Sequence, residues 1–348
     1  MLTSLRPVTE LERAIRAQPD ELRRLAGLEL PPHANRLAAG ERLWLVGTGT
    51  SLHAAELGAA MMARAGIDAR FASSMEFAKR APLRAGDGVI VLSHTGETAY
   101  ARGARARALD LGAETLSLTA TGVGWPEAIE VAEKERSETY TRSYTGALAV
   151  LALIAGELGA EGLGPEAVVA AADAADAVLG EPGIEVVPEP ERLLVLAGAG
   201  PAAVTAREGA LKLREAARLA AEGYDAEYLL HGSAVPLDER DALVLVGPDE
   251  DGLLRELAKA AEAEGVAVGR LSGEAAAGGR RPGGPPADVR ESREAVLGET
   301  ADELMAQIPL TVRLQLLALR RAEQGGHDPD TVITGAWAAD ALWNTGVR

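Results

Sequence analysis

Short apolar runs and longer amphipathic segments alternate along the first half of this chain. Residues 42–46, 89–92 and 114–118 are runs with the length and composition of strands buried on both faces. Helical periodicity follows the first two runs and ends at Gly66 and Gly112, which are typical helix stops. Strands that alternate with helices predict a parallel sheet covered on both faces, which is an α/β domain.

The same plan recurs in the second half. Strands are predicted at 192–197, 242–246 and 266–271, and strongly apolar closing helices at 143–158 and 303–322. Corresponding elements at nearly one offset indicate two tandem domains. We therefore predict an N-terminal helical segment at 1–30, a first domain at 31–160, a linker at 161–184, a second domain at 185–325 and a C-terminal tail at 326–348.

Two segments outside the repeat carry local signals. Residues 8–26 predict one helix, with Thr9 as its N-cap and Glu12 at the capping-box spacing. The stretch at 273–286 is rich in Gly, Ala and Pro, and this low complexity predicts a mobile loop.

Composition narrows the possible partners. The formal net charge of −17 disfavours a nucleic-acid partner, because that surface repels a phosphate backbone. The chain has no cysteine, which excludes disulfides, thiolate ligands and a cysteine nucleophile. No apolar run has the length of a signal peptide core or a membrane helix, so we expect a cytoplasmic protein with no membrane partner. We predict neither a metal nor a cofactor.

Two loops of the first half predict a phosphate site. Each is rich in Gly, Ser and Thr, follows a buried strand and opens a helix. Such loops meet at the carboxyl edge of a parallel sheet, where helix N-termini offer N–H groups to an anion. The alternative is that the hydroxyls are ordinary N-caps. The predicted phosphate-binding residues are Gly49, Thr50, Ser51, Ser93, His94, Thr95 and Thr98.

The second half differs at the corresponding loops. Residues 247–251 are acidic and would repel a phosphate, so we expect one phosphate site per chain. Residues 198–203 match the G-x-G-x-x-A dinucleotide fingerprint, although Pro201 interrupts the turn and no acidic residue follows at the expected distance. An NAD-dependent enzyme is therefore the least favoured alternative.

One helix of the second half carries candidate catalytic residues. Glu208, Lys212 and Glu215 are spaced i, i+4 and i+7, which places all three on one face. An exposed stripe of ion pairs is the alternative interpretation. His231 lies between two leucines and a glycine, where a lone histidine is more often structural than catalytic.

Together these motifs resemble those of the double sugar-isomerase (SIS) domain family, which includes the isomerase half of glucosamine-6-phosphate synthase. The resemblance covers nearly the whole chain. Its motifs here are Ala17-Gln18-Pro19, Gly49-Thr50-Ser51, SHTGET at 93–98 (usually SQSGET), the segment 136–145, EGALKLRE at 208–215 (usually EGALKLKE) and His231-Gly232.

The resemblance implies two flavodoxin-like SIS domains, with parallel sheets flanked by helices, and a phosphosugar ligand held by the first domain. In the family, the glutamate matching Glu215 shuttles the C1/C2 proton and the lysine matching Lys212 lies beside the sugar. The histidine matching His231 assists ring opening from a neighbouring subunit, which implies a homodimer with shared sites. Further substrate-site candidates are Thr141, Arg142 and Glu208.

The expected function is C1/C2 proton transfer on a hexose 6-phosphate or amino-hexose 6-phosphate. Whether this serves isomerisation, deamination or amination stays open, and a non-catalytic phosphosugar sensor is the alternative.

Three departures from the family make glutamine-dependent synthesis doubtful. The synthase's glutaminase domain and its cysteine nucleophile have no counterpart in the sequence. The family's near-terminal Schiff-base lysine is absent, because residues 331–348 contain no lysine. Residues 138–142, ETYTR, replace the usual VASTK, with Arg142 where a lysine is common.

Overall fold

The structure is a computed structural model that describes residues 7–249, 251–272 and 299–345. The stretch at 273–286, predicted as a mobile loop, lies outside the described residues. The chain begins with helices α1 (Glu10–Arg16) and α2 (Gln18–Ala26), so the single helix predicted over 8–26 is wrong. Pro19 lies in the first turn of α2, where a residue without an N–H is tolerated, and a new helix begins there. The predicted N-cap is confirmed, because the Thr9 hydroxyl accepts the Glu12 N–H at 3.1 Å.

The first domain contains a five-stranded parallel sheet in the order β2-β1-β3-β4-β5. The three predicted strands are present, and β2 and β5 at the sheet edges were not predicted. The strands are β1 (Leu43–Gly47), β2 (Ala69–Ser73), β3 (Gly88–Leu92), β4 (Glu114–Ala120) and β5 (Ala128–Ala132). The helices are α3 (Thr50–Ala63), α4 (Ser74–Lys79), α5 (Ala99–Asp110) and α6 (Arg142–Glu157), and a 3-10 helix spans Pro32–Ala38.

The predicted linker at 161–184 contains a 16-residue helix, α7 (Pro165–Gly180), which packs against α2. The second domain then contains a four-stranded parallel sheet in the order β7-β6-β8-β9. Its strands are β6 (Leu194–Gly198), β7 (Ala221–Asp225), β8 (Ala242–Val246) and β9 (Ala267–Leu271). The remaining helices are α8 (Pro201–Ala217), α9 (Ala226–Tyr228), α10 (Leu253–Ala263), α11 (Ala301–Met305), α12 (Gln307–Gly325) and α13 (Asp340–Asn344).

The central strands β1, β3, β6 and β8 are buried along their whole length. Continuous apolar strands of this kind are typical of parallel sheets covered on both faces. One apolar core runs through both domains, and α8 packs between α3 of the first domain and α12 of the second. The predicted α/β fold with two parallel sheets flanked by helices is confirmed.

Among the described helices, none combines the length and apolar character needed to cross a membrane.

Candidate active site

The two predicted phosphate loops lie at the carboxyl ends of neighbouring strands, β1 and β3. Gly49 precedes α3 with φ 54° and ψ −131°, a backbone conformation that favours glycine. Thr98 precedes α5. In the part of the chain that the structure describes, no side chain caps the N-terminus of either helix. Both termini therefore present positive partial charge to an anion. At α5 the first N–H groups have no partner among the described residues, whereas at α3 the second, third and fourth N–H groups already bond to backbone carbonyls of the preceding loop.

Side chains of the loop after β3 make two further connections. The Thr95 hydroxyl accepts the Glu97 N–H at 3.2 Å. His94 Nε2 accepts the backbone N–H of Glu135 at 3.0 Å, and the His94 ring centroid lies 5.2 Å from that of Tyr140. Burial lowers the pKa of His94, although the Glu135 carboxylate opposes the shift. The neutral ring thus carries its proton on Nδ1, which is buried and lacks a partner among the described residues.

Thr50 connects the two domains. Its hydroxyl donates to Oε1 of Glu208 at 3.1 Å, and Nδ1 of His53 lies 2.7 Å from Oε2 of the same carboxylate. The hydroxyl predicted to face a phosphate is therefore engaged by the second domain. Sequence reasoning missed His53, and the available signal was its position one turn after Thr50 on the same helix face.

The three residues predicted on one face of α8 lie together. Lys212 Nζ is 2.6 Å from Oε2 of Glu215 and 3.4 Å from Oε1 of Glu208. The side chains of Glu208 and Lys212 have no exposed surface, and that of Glu215 is 19% exposed. The alternative of an exposed ion-pair stripe is wrong, because two of its three members are fully buried.

The pKa shifts keep Glu208 and Lys212 charged and favour the protonated form of Glu215. Burial alone would lower the pKa of Lys212, but Glu208 and Glu215 raise it to about 12. Burial would raise the pKa of Glu208, but Lys212, His53 and Thr50 hold it below its ordinary value. For Glu215 burial prevails, and its pKa is raised in spite of Lys212. A partly exposed carboxyl with a raised pKa beside a fixed ammonium is suited to proton transfer.

The segment before α6 contains a buried carboxylate that sequence reasoning missed. Glu135 accepts the backbone N–H and hydroxyl of Thr141 at 3.1–3.2 Å, and those of Ser143 at 2.9 and 2.5 Å. Thr141 and Ser143 are thereby held at the N-terminus of α6. Arg142 Nη2 donates to the Glu133 carbonyl at 3.1 Å. Thr141 and Arg142 were predicted as substrate-site residues, and these are the partners that the structure gives them.

His231 makes no hydrogen bond with the α8 group among the described residues. It occupies an irregular turn, Leu229–Ser233, in which it and Gly232 leave helical geometry. Its side chain is exposed, and no hydrogen bond among the described residues joins it to Glu215 or Lys212. Large apolar side chains beside it are also exposed, namely Tyr228, Leu230 and Val235.

The C-terminal tail is tied to the end of α8. Arg218 donates to the carbonyls of Thr331 and Val332, both at 2.7 Å. The Asp330 carboxylate accepts the N–H groups of Glu10 and Leu11 at the start of α1. The tail thus passes close to the helix that carries Glu215.

In residues 7–249, 251–272 and 299–345, no three His, Asp or Glu side chains form a group that could hold a metal ion.

No protein-family model matches the chain. Curated relatives are glutamine–fructose-6-phosphate aminotransferases (isomerizing). That of Bradyrhizobium diazoefficiens is 30% identical over 61% of this chain and 38% of its own length. That of Gloeobacter violaceus is 29% identical over 83% of this chain and 50% of its own length. That of Pyrococcus horikoshii is 28% identical over 87% of this chain and 52% of its own length. The chain therefore spans about half the length, or less, of these relatives.

Solved structures share the fold. The C-terminal domain of glucosamine-fructose-6-phosphate aminotransferase from Francisella tularensis superposes with a TM-score of 0.72 at 19% identity, covering 92% of this chain and 98% of that one. Tagatose-6-phosphate ketose/aldose isomerase from Escherichia coli gives 0.71 at 20% identity, over 94% and 96%. Glucosamine-6-phosphate deaminase from Thermotoga maritima gives 0.72 at 18% identity, over 93% and 97%. These likenesses confirm the predicted pair of tandem α/β units.

Proposed function

This chain is a homologue of the isomerase half of glutamine–fructose-6-phosphate aminotransferase with the tandem SIS-domain fold, and we propose that it is a phosphosugar enzyme. It binds a hexose 6-phosphate or amino-hexose 6-phosphate and moves a proton between C1 and C2. The observation that carries the proposal is the contact of Lys212 with Glu215, a buried ammonium 2.6 Å from a partly exposed carboxyl of raised pKa.

The phosphate is held by the first domain. The N-terminus of α5 supplies backbone N–H groups, and that of α3 supplies its first N–H group. Hydroxyls come from Ser51, Ser93, Thr95 and Thr98. His94 adds the buried Nδ1–H, which has no acceptor among the described residues. Each such hydrogen bond contributes about 1 kcal/mol net, so the loops hold a dianion without a lysine or arginine.

Glu215 is the general base. It removes the proton from C2 of the open-chain aldose, and the C–H electrons form the C1–C2 double bond as the C1 oxygen becomes negative. The Lys212 ammonium stabilises this enediolate, a role that contributes a few kcal/mol in comparable sites. Protonated Glu215 then delivers the proton to C1 as the C2–O double bond forms, and the proton of the C2 hydroxyl passes to the C1 oxygen, which gives the ketose. A carboxyl with a raised pKa suits both steps.

We propose that two copies of the chain form a homodimer in which His231 of one subunit completes the site of the other. The imidazole is exposed and lies among exposed apolar side chains. It would protonate the ring oxygen and so open the pyranose. A stable monomer at micromolar concentration in sedimentation velocity would contradict this assembly.

The test compares exchange of substrate protons with deuterated solvent in matched variants. Glu215→Gln keeps the shape of the side chain and removes the base, so exchange at C1 of fructose 6-phosphate and C2 of glucosamine 6-phosphate should collapse while binding persists. Glu262→Gln, an exposed position on α10, is the control and should exchange like the wild type. Wild-type exchange in the Glu215→Gln protein would overturn the mechanism.

A non-catalytic phosphosugar sensor is the second candidate function. It is favoured by the lack of a hydrogen bond between His231 and Glu215 among the described residues of this chain and by the lack of lysine in residues 331–348. Thermal-shift measurements with fructose 6-phosphate, glucosamine 6-phosphate and NAD(H) separate the candidates. A sensor shows stabilisation by a phosphosugar without proton exchange, and stabilisation by NAD(H) alone would point to an oxidoreductase.

A further inference from the structure

One buried carboxylate joins the phosphate loops to the catalytic helix. Glu208 bonds to Thr50 through Oε1 and to His53 through Oε2, both from the first turn of α3. Its Oε1 also lies 3.4 Å from Lys212 Nζ, and Lys212 contacts Glu215 at 2.6 Å. A continuous polar chain therefore runs from α3 of the first domain to the proposed base on α8.

We propose that His53 is a positioning residue for the proton transfer: its Nδ1–H holds Glu208 in place as an anion, so that Lys212 is shared between Glu208 and Glu215. This inference rests on the proposed function, because it concerns the same site.

The argument begins with the isolation of Glu208. A carboxylate with no exposed surface is stable as an anion only when donors satisfy its oxygens. Thr50 and Lys212 both face Oε1. Within the described residues, His53 is the donor on Oε2, and its removal leaves a buried, charged oxygen without a hydrogen bond. Glu208 would then take up a proton or turn away.

The consequence reaches Glu215 through Lys212. The Lys212 ammonium lies between the carboxylates of Glu208 and Glu215. The negative charge of either carboxylate offsets part of the effect that Lys212 has on the pKa of the other carboxylate. When Glu208 loses its charge or its orientation, Lys212 acts on Glu215 alone and lowers the pKa of that carboxyl. In the wild-type chain, by contrast, the negative charge of Glu208 helps to raise the pKa of Glu215. A base with a lowered pKa removes a carbon-bound proton more slowly.

Apart from Lys212 and Glu208, through which the link runs, the charged groups around Glu215 have no hydrogen bond to His53 among the described residues. They are Arg214 on α8, and Tyr140 and Glu135 from the segment before α6. The arginines of the packed helix α12 bond elsewhere: Arg313 to the Pro182 carbonyl, Arg320 to Glu185 and Arg321 to the Val187 and Pro188 carbonyls. Glu222 on β7 bonds to Tyr224, and Arg218 bonds to the tail. A change in the titration of Glu215 would therefore report on the link through Glu208.

The experiment titrates Glu215 directly in the ligand-free protein by carbon-13 NMR of labelled glutamate carboxyls, with the Glu215→Gln spectrum identifying the signal. His53→Ala and His53→Leu remove the donor, and the leucine keeps the side-chain volume if the alanine variant is unstable. His53→Asn supplies an amide N–H close to the position of Nδ1. His327→Ala, an exposed histidine after α12, is the control.

We expect the apparent pKa of Glu215 to fall in the alanine and leucine variants and to return towards the wild-type value in His53→Asn. Proton exchange of fructose 6-phosphate should fall by about 10- to 100-fold in the first two, in kcat more than in KM, because the phosphate-binding N–H groups and hydroxyls are not substituted. The acidic limb of its pH profile should move to lower pH.

Two outcomes separate this inference from the proposed function. A Glu215 titration identical in wild type, His53→Ala and His53→Leu overturns the role of His53, whatever the activity. A shifted titration in a protein that shows no exchange with any hexose phosphate supports the link through Glu208 and contradicts the proposed enzyme.

Discussion

The two domains place different chemistry at corresponding helix N-termini. In the first domain, among described residues, α5 begins without a side-chain cap. In the second, the Asp249 carboxylate accepts the N–H groups of Leu254 and Arg255 at the start of α10, at 2.9 and 3.0 Å. The second domain thus holds an anion of its own where the first is open to an external one. The difference supports the proposal that the first domain binds the phosphate and the second supplies the base.

The turns before α3 and α8 show the same division. Gly49 and Gly200 adopt nearly identical conformations, φ 54° and ψ −131° against φ 52° and ψ −131°. Thr50 follows the first, whereas Pro201, which has no N–H, follows the second. The backbone of the repeat is preserved, and one donor is removed from the second copy.

The largest effect is expected from a charge placed in the loop before α5, the proposed phosphate site of the first domain. Thr95→Glu places a negative charge within the loop before α5, and charge repulsion should abolish phosphosugar binding. Leu109→Glu adds the same charge at an exposed position near the other end of α5 and should bind normally. Calorimetry with fructose 6-phosphate and glucosamine 6-phosphate measures both. Undiminished affinity in Thr95→Glu would refute the assignment of the loop.

Lys212→Met tests the catalytic half. It leaves Glu208 and Glu215 close together without their shared cation, and loss of one partner from a buried ion pair costs about 3–5 kcal/mol. Lys259, which is exposed and pairs with Glu256 on α10, provides the control, because an exposed pair contributes about 0–1 kcal/mol. Urea unfolding of Lys212→Met and Lys259→Met compares the two. Equal free energies of unfolding would show that the buried pair does not stabilise the chain.

Asp249→Ala tests whether the Asp249 carboxylate alone keeps a phosphosugar from binding to the second domain. Loss of a capping carboxylate should lower the free energy of unfolding by about 0.5–2 kcal/mol. Phosphosugar stoichiometry should stay at one per chain, because Pro201 still removes a donor from the neighbouring turn. Calorimetric titration and urea unfolding check the two parts. A second bound phosphosugar per chain would mean that Asp249 was the whole difference between the domains.

The sequence predicts the parts of the fold that carry a strong local signal. Central strands β1, β3, β6 and β8 were found because they are continuous apolar runs buried by helices on both faces. The edge strands β2 and β5 mix polar and apolar residues within five positions and lack that signal. Helix α7 was taken as part of a linker because glycines and prolines flank it.

The candidate site divides in the same way. Helical spacing predicts that Glu208, Lys212 and Glu215 share a face, and the structure brings them into contact. The bond between His53 and Glu208 joins residues 155 positions apart and depends on how the two domains pack. No local pattern contains that information. The role of His231 depends on a second subunit and stays a prediction.

The smallest expected effect concerns stability against pH in the catalytic half. Burial raises the pKa of Glu215 in the folded chain above its value in the unfolded chain. Folding therefore favours the protonated carboxyl, and this contribution is fully present below the unfolded pKa and is lost as the pH rises through the folded pKa. Glu215→Gln is neutral at every pH and avoids the loss. It should be more stable than the wild type above the folded pKa, and the difference should shrink as the pH falls.

Urea unfolding of wild type and Glu215→Gln between pH 4 and 8, with Glu262→Gln as the control, measures this difference. A glutamine variant less stable than wild type at pH 8 would show that attraction between Lys212 and Glu215 outweighs the cost of burying the carboxylate. The expected sign follows from the division between the domains. In the proposed function, the uncapped N-terminus of α5 in the first domain meets the phosphate. Glu215 in the second domain must be charged to act as a base, and its partial burial then lowers stability.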